Sequence, residues 1–258
     1  MMLLIDAGNS RIKWRLVGEN VHASGACTHD AANDLVACTE TPGITRVLGC
    51  NVAGPAKGEA LTAIVARRGL TLEWISSSAQ RCDVRNMYTH FGRLGADRWA
   101  ALIGARGYHR FRNVLVVMAG TATTLDILNA DGRFMGGHIL PGVELMRQAL
   151  GQSTAQLSVT GGRYRSHPRD TADAIVSGCF NAQAGAIERI FRCMDAPGSV
   201  CLLSGGAAAL NRYKKFLSAG GCKSPYEILK DAGVDLNSAK PFEAAMREFG
   251  ETLRELQK

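Results

Sequence analysis

Near the start of the chain, Asp6-Ala7-Gly8-Asn9-Ser10 follows the apolar run Leu3–Ile5, with Lys13 three residues further on. A turn between two strands with glycine at its centre exposes backbone N–H groups on a concave rim, which suits phosphate oxygens. Gly8 lets the backbone approach a ligand closely because no Cβ intervenes. Asn9 and Ser10 add side-chain donors, and Lys13 offers a point charge to a phosphate. Asp6, at the strand end, can hold Mg²⁺ through water, since that ion keeps several waters and takes one or two carboxylates. The same residues also suit an ordinary hairpin with a Gly-Asn turn.

Further along, Gly95-Ala96-Asp97-Arg98 opens a helical pattern. An acid in the first turn of a helix is favoured by the helix dipole. It also has the chemistry of a general base, with the adjacent Arg98 able to hold an anionic substrate. Gly120-Thr121-Ala122-Thr123-Thr124 has the small residues and hydroxyls of a second phosphate loop, though threonine is common in any strand. Gly205-Gly206 would let a nucleotide base or ribose lie against backbone, or simply make a tight turn. His138, Trp14, Trp74 and Trp99 suit structural roles better than functional ones.

The elements that must position these residues follow from periodicity. Ile12, Trp14 and Leu16 alternate with Lys13 and Arg15, so the first loop joins two strands of a hairpin. Arg46–Cys50 is a short apolar run, Lys57–Arg68 a helix, and Thr71–Ile75 a strand. Gly95–His109 reads as a helix, Val114–Met118 as a buried strand, and Leu125–Leu128 as its continuation beyond the second loop. Asn129-Ala130-Asp131-Gly132 marks a turn and Gly136-Gly137 a second break. Asp170–Met194 is the longest helical pattern, capped by Asp170 or Thr171. Val200–Leu203 is a strand, and Phe242–Leu256 a charged helix after Pro241.

One repeat organises the chain. Leu3-Leu4-Ile5-Asp6-Ala7-Gly8 and Leu115-Val116-Val117-Met118-Ala119-Gly120 are alike, and Ala7 and Ala119 stand 112 positions apart. A repeat of domain length predicts two related halves, 1–113 and 114–258, each opening with a phosphate-loop hairpin.

Composition sets the outer limits. The 258 residues are 46% hydrophobic and 21% charged, which is ordinary for a globular protein with a sizeable core. The net charge of +7 is spread along the chain, which argues for anionic ligands and against a nucleic-acid footprint. The eight cysteines form no C-x-x-C pair and several lie in apolar runs, so reduced, buried thiols are expected rather than zinc ligands or disulfides. The N-terminus has no basic stretch before its short apolar run. No segment reaches the roughly 18 apolar residues of a membrane span. A cytoplasmic location is the expectation.

Taken in order, these motifs resemble the type III pantothenate kinases, a family whose relatives include Bvg accessory factors. The resemblance runs from Leu3 to about Ala209. It is carried by Asp6-Ala7-Gly8-Asn9-Ser10-x-x-Lys13, Asn51-Val52-Ala53-Gly54, Asn86-x-Tyr88 and Leu94-Gly95-Ala96-Asp97-Arg98-Trp99. It continues through Gly120-Thr121-Ala122-Thr123-Thr124, Gly136-Gly137-x-Ile139-x-Pro141-Gly142, Asp170-Thr171-x-x-Ala174-Ile175-x-x-Gly178 and Leu202-Leu203-Ser204-Gly205-Gly206.

The resemblance implies an α/β fold of the actin-like and sugar-kinase architecture, with two ribonuclease-H-like halves around a cleft. It implies transfer of the γ-phosphate of ATP to pantothenate, the first step toward coenzyme A, by a homodimer. By the same motifs, Asp97 is the base that takes the hydroxyl proton. Tyr88, Gly95, Ala96, Arg98 and Thr171 join it in contacting pantothenate. Asp6, Ala7, Gly8, Asn9, Ser10, Lys13, Gly120 and Thr121 hold the ATP phosphates, with Asp6 toward Mg²⁺. Two alternatives accompany this expectation: a related kinase or phosphatase acting on another small alcohol, and a catalytically weak relative that serves as a binding partner.

The chain departs from the family pattern in two places. Its tail from about Lys223 is charged, without the usual apolar closing segment. Many family members also carry Asp where this chain has Met118, and that carboxylate helps bind a monovalent cation, K⁺ or NH₄⁺. A thioether offers no hard oxygen to such an ion. Turnover is therefore expected to be nearly flat when K⁺ replaces a large inert cation at constant ionic strength, and a steep K⁺ requirement would overturn this.

Overall fold

The structure, a computed structural model, describes residues 1–18, 22–32, 35, 39–153, 161–194 and 197–205. The expected helix Phe242–Leu256 and the alanine-rich segment after Gly206 lie outside them. The chain divides into two compact units, Met1–Ala79 with Tyr88–Ala101, and Gln80–Met87 with Leu102–Lys258.

The first unit is built on five strands: β1 (Met2–Ala7), β2 (Ile12–Val17), β3 (His22–Cys27), β4 (Arg46–Asn51) and β5 (Leu72–Trp74). Their order is β3-β2-β1-β4-β5. β1, β2 and β3 are antiparallel neighbours, whereas β4 runs parallel to β1 and β5 parallel to β4. Side chains alternate along β1. Leu3, Ile5 and Ala7 enter the core with Ile12 and Val47, so Leu4 and Asp6 face the other side. Helix α1 (Pro55–Ala66) makes the crossover between β4 and β5 and buries Leu61, Ile64 and Val65 on that core. It starts two residues before the expected Lys57, because proline is well suited to a first helical turn, where its missing N–H costs nothing.

The second unit repeats the plan. Its strands are β6 (Gln80–Arg81), β7 (Val84–Asn86), β8 (Val114–Ala119), β9 (Ala122–Leu128), β10 (Arg133–Pro141) and β11 (Val200–Gly205), in the order β11-β8-β9-β10-β7-β6. β8, β9 and β10 are antiparallel neighbours, and β11 lies parallel to β8 on its other side. This is the arrangement of β1, β2, β3 and β4, so the 112-residue repeat is a repeat of topology. Helix α2 (Ala96–Tyr108) begins in the first unit and ends in the second, which also carries α3 (Val143–Ser153) and α4 (Thr171–Cys193). Val176, Phe180, Ala184 and Ile187 form a helical stripe on α4 that packs on Leu115, Val117 and Leu125.

One local expectation changes, and one hairpin appears that the sequence did not announce. Gly136-Gly137 does not break the chain. β10 runs through both, with a bulge between Phe134 and Gly136 that absorbs the positive φ of Gly136. The hairpin β6–β7 carries no Asn-Gly or Asp-Gly signal. It turns on Cys82 and Asp83, both at positive φ, so its sequence hides it.

Candidate active site

The register of the first sheet builds the site. Asp6, at the carboxyl end of β1, stands opposite Lys13 on β2 and opposite Cys50 on β4. Neighbouring residues in register share a face, so all three side chains meet. Lys13 Nζ donates to Asp6 Oδ2 at 3.1 Å, and Cys50 Sγ donates to Asp6 Oδ1 at 3.3 Å. Burial pushes the Cys50 thiol well above its ordinary range, and the negative charge of Asp6 pushes it the same way. Cys50 therefore stays protonated and acts as a donor. Motif reasoning left it among the structural thiols. The signal that finds it is its place at the end of the parallel strand beside β1.

The loop after β1 is more closed than an open phosphate nest. The Gly8 N–H donates to the Arg11 carbonyl at 3.1 Å, closing the turn. The Gly8 carbonyl accepts from His29 Nε2 at 2.7 Å, an anchor that no motif announced. Asn9 and Ser10 are left exposed at the tip. The loop after β4 docks on the same strand end. The Val52 N–H donates to the Ala7 carbonyl at 3.0 Å, while the Asn51 side chain accepts from Ala53 N–H and donates to the Gly54 carbonyl.

The α2 N-terminus completes the cluster in this unit. The Gly95 carbonyl accepts the first helical bond, from Trp99 N–H at 2.9 Å. Asp97 then folds back, and its Oδ1 accepts from Arg98 N–H at 2.8 Å. A Cβ on Gly95 would stand 2.6 Å from Asp97 Oδ1 and 3.7 Å from Val52. Glycine is needed there by space and not by backbone conformation. Burial raises the Asp97 carboxyl above the usual range. The Arg98 amide opposes that shift, and the Asp6 charge adds to it. Two carboxylates, Asp6 and Asp97, thus sense each other at the ends of β1 and α2. Arg98 is buried, and its guanidinium lies 5.8 Å from the centre of the Tyr88 ring.

The remaining predicted residues belong to the second unit. Gly120 closes its turn by donating to the Ala122 carbonyl, and the Thr121 carbonyl accepts from Gly142 N–H at 2.9 Å. A Cβ at Gly142 would run into the Gly120 and Thr121 carbonyls, so Pro141-Gly142 braces this loop. Gly205, at φ 141°, gives its open side to the Ala119 backbone. That close approach by itself accounts for a glycine here, in keeping with the structural reading of Gly205-Gly206. Asp170 caps α4 by accepting from Asp173 N–H at 2.9 Å, and Thr171 is the exposed first residue of that helix.

Two sheets of this topology, each opening on a glycine-centred hairpin, define the actin-like ATPase and sugar-kinase fold. A Sinorhizobium meliloti protein provisionally named 2-dehydro-3-deoxygalactonokinase shares it. The TM-score is 0.62 at 16% identity, over 99% of each chain. The chain belongs to the type III pantothenate kinase family, whose profile matches residues 2–193. A type III pantothenate kinase of Aromatoleum aromaticum is 57% identical, over 81% of this chain and 87% of its own length. One from an Azoarcus species is 48% identical, over 91% and 90%.

The Gly95 geometry carries a prediction. Gly95→Ala should push the Asp97 carboxylate off the helix end and cut kcat at least tenfold, with the melting temperature changed by a few degrees at most. Steady-state kinetics beside a thermal melt would show it, and unaltered kcat would contradict the steric argument.

Proposed function

We propose that this chain transfers the γ-phosphate of ATP to the primary hydroxyl of pantothenate with Asp97 as the general base. The observation that carries the proposal is the half-buried Asp97 carboxylate, raised by burial and held at a helix N-terminus beside Arg98. A base needs a pKa close enough to working pH to accept a proton and still be ionised. Burial moves Asp97 in that direction. Arg98 offers a fork of donors suited to the pantothenate carboxylate, with Tyr88, Gly95, Ala96 and Thr171 as further substrate contacts.

Phosphoryl transfer needs positioning and charge neutralisation more than covalent chemistry. Asn9, Ser10 and Lys13 bind and orient the ATP phosphates, with Ala7 and Gly8 shaping the turn, and Gly120 and Thr121 form the second loop. Asp6 fits the Mg²⁺ that accompanies ATP. Its two oxygens accept one bond each from Lys13 and Cys50, which leaves lone pairs for metal-bound water. That ion supplies neutralisation of phosphate charge when bound.

A monovalent cation fits poorly. Met118 stands opposite Thr124, whose buried Oγ1 has no partner among the described residues. The next acid on that face, Asp126, is fully buried and already engaged. One hydroxyl is a poor cage for a hard ion.

A homodimer is part of the proposal. Gly178, Ala182 and Gly185 form an exposed stripe along α4, and a Cβ at either glycine would meet open space. Small residues permit close helix approach. Light scattering at micromolar concentration should give about twice 27.6 kDa, and a monomer would refute the dimer.

The central test is Asp97→Asn. Isotope transfer from ATP to pantothenate, run beside a sugar panel, should fall by about 10²-fold or more. Wild-type activity should fall on acidification at a pH above that of an ordinary carboxylate, because the base must be ionised and its pKa is raised. The stability sign is opposite. A carboxyl raised in the folded state loses stability as pH climbs through that range, so Asp97→Asn should melt no lower than wild type at pH 7. Wild-type inactivity on pantothenate would sink the proposal and favour a binding role.

A further inference from the structure

The outer edge of the second sheet holds a cavity that the kinase chemistry does not use. It measures about 390 Å³ and is lined by Gln80, Asp83, Arg85, Arg106, Asp131 and Arg133. All six residues belong to the second unit, and none is among the residues assigned to ATP or pantothenate.

Strand register puts like charges side by side. Arg85 on β7 stands opposite Arg133 on β10, with Gln80 of β6 on its other flank. Like charges directly opposite each other across strands are destabilising. Among the described residues neither arginine makes an ion pair. The acids do not cancel them. Asp83 is held by Arg110 at 3.1 Å, and Asp131 lies in the Asn129 turn, where it accepts from Asn129 Nδ2 at 3.5 Å.

The third arginine adds a buried, unanswered donor. Arg106 reaches in from α2 and is only 7% exposed. One of its N–H groups donates to the Ala130 carbonyl at 2.8 Å, while its Nε has no partner. A buried donor left unmade has lost its water without gaining a partner. Gly132 keeps the space open, since a Cβ there would crowd Arg106 and collide with the Asp83 carbonyl.

Backbone strain gathers at the same place. Among the described residues, the non-glycine positions with positive φ are Cys82, Asp83 and Phe111. Cys82 and Asp83 turn the β6–β7 hairpin at the cavity edge. Phe111, 77% exposed, places its ring 5.4 Å from the Arg106 guanidinium carbon. Strain of this kind persists where the surrounding structure holds it, and it collects at functional sites.

We propose that this cavity is a second anion site, separate from the phosphate loops, and that it takes a small ligand bearing a diphosphate group. Guanidinium forks match phosphate oxygens two at a time. A diphosphate has enough oxygens to bridge Arg85 and Arg133, relieve their repulsion, and reach the Arg106 donor. The volume admits a small organic group beyond the phosphates. Phe111, beside Arg106, offers that group an aromatic surface.

The test titrates inorganic pyrophosphate by calorimetry into the full-length protein. A non-hydrolysable ATP analogue and Mg²⁺ are held at saturation, so that the phosphate loops are filled. Wild type should still bind pyrophosphate. The double variant Arg85→Ala/Arg133→Ala should bind at least tenfold more weakly, with kcat and the KM for ATP unchanged. Both side chains are exposed, so the variant should fold and, without ligand, should melt no lower than wild type. Arg133→Gln alone should give an intermediate loss. Binding that disappears once the analogue fills the loops, or that survives undiminished in the double variant, would overturn the proposal. Either result would leave the pantothenate kinase assignment untouched.

Discussion

The site in the first unit depends on one point of strand register. Asp6 can be a shared acceptor for Lys13 and Cys50 because β2 and β4 flank β1 with those residues directly opposite it. A slip of one residue in either strand would send its partner to the core face. The core therefore enforces the chemistry. Leu3, Ile5 and Ala7 must point inward, and that requirement alone turns Asp6 outward at the strand end. The loop after β4 then docks on the Ala7 carbonyl, and Val52 lies close to where a Gly95 side chain would begin. Asp97 on α2 thus stands near the same strand end that holds the carboxylate on β1.

The two units show how one topology accepts different charges. In the first, Leu4 opposes Arg15 and Asp6 opposes Lys13. In the second, Val116 opposes Asp126 and Met118 opposes Thr124. Arg15 and Asp126 hold equivalent register positions, both buried, with opposite sign. Asp6 has no acidic counterpart at Met118. The first hairpin therefore carries a carboxylate and a lysine at its base, while the second has a thioether opposite a threonine and a glycine-braced turn.

Much of this was legible in the residues. Period-2 alternation gave β2, apolar runs gave β1 and β8, and the repeat across 112 positions pointed to a second hairpin like the first. Asp97 and Gly95 were visible as a helix opening. Other features were hidden for physical reasons. Cys50 and His29 act through partners 44 and 21 residues away, and no local pattern encodes such contacts. The β6–β7 hairpin was missed because its turn uses Cys82 and Asp83 instead of glycine. Gly136-Gly137 looked like a break because a bulge and a loop use the same residue. Gly205 left two readings open because a close approach by backbone and one by a nucleotide call for the same missing Cβ.

The hydrogen bond from Cys50 to Asp6 also bears on chemical durability. Thiols react with peroxides and alkylating agents as thiolates, and neighbouring cations usually create those. Cys50 has the reverse surroundings, a partly buried position beside a carboxylate, so its sulfur remains in the unreactive form. A cysteine touching a candidate site residue would ordinarily expose that site to oxidative inactivation. Here the negative charge of Asp6 keeps the sulfur next to it protonated.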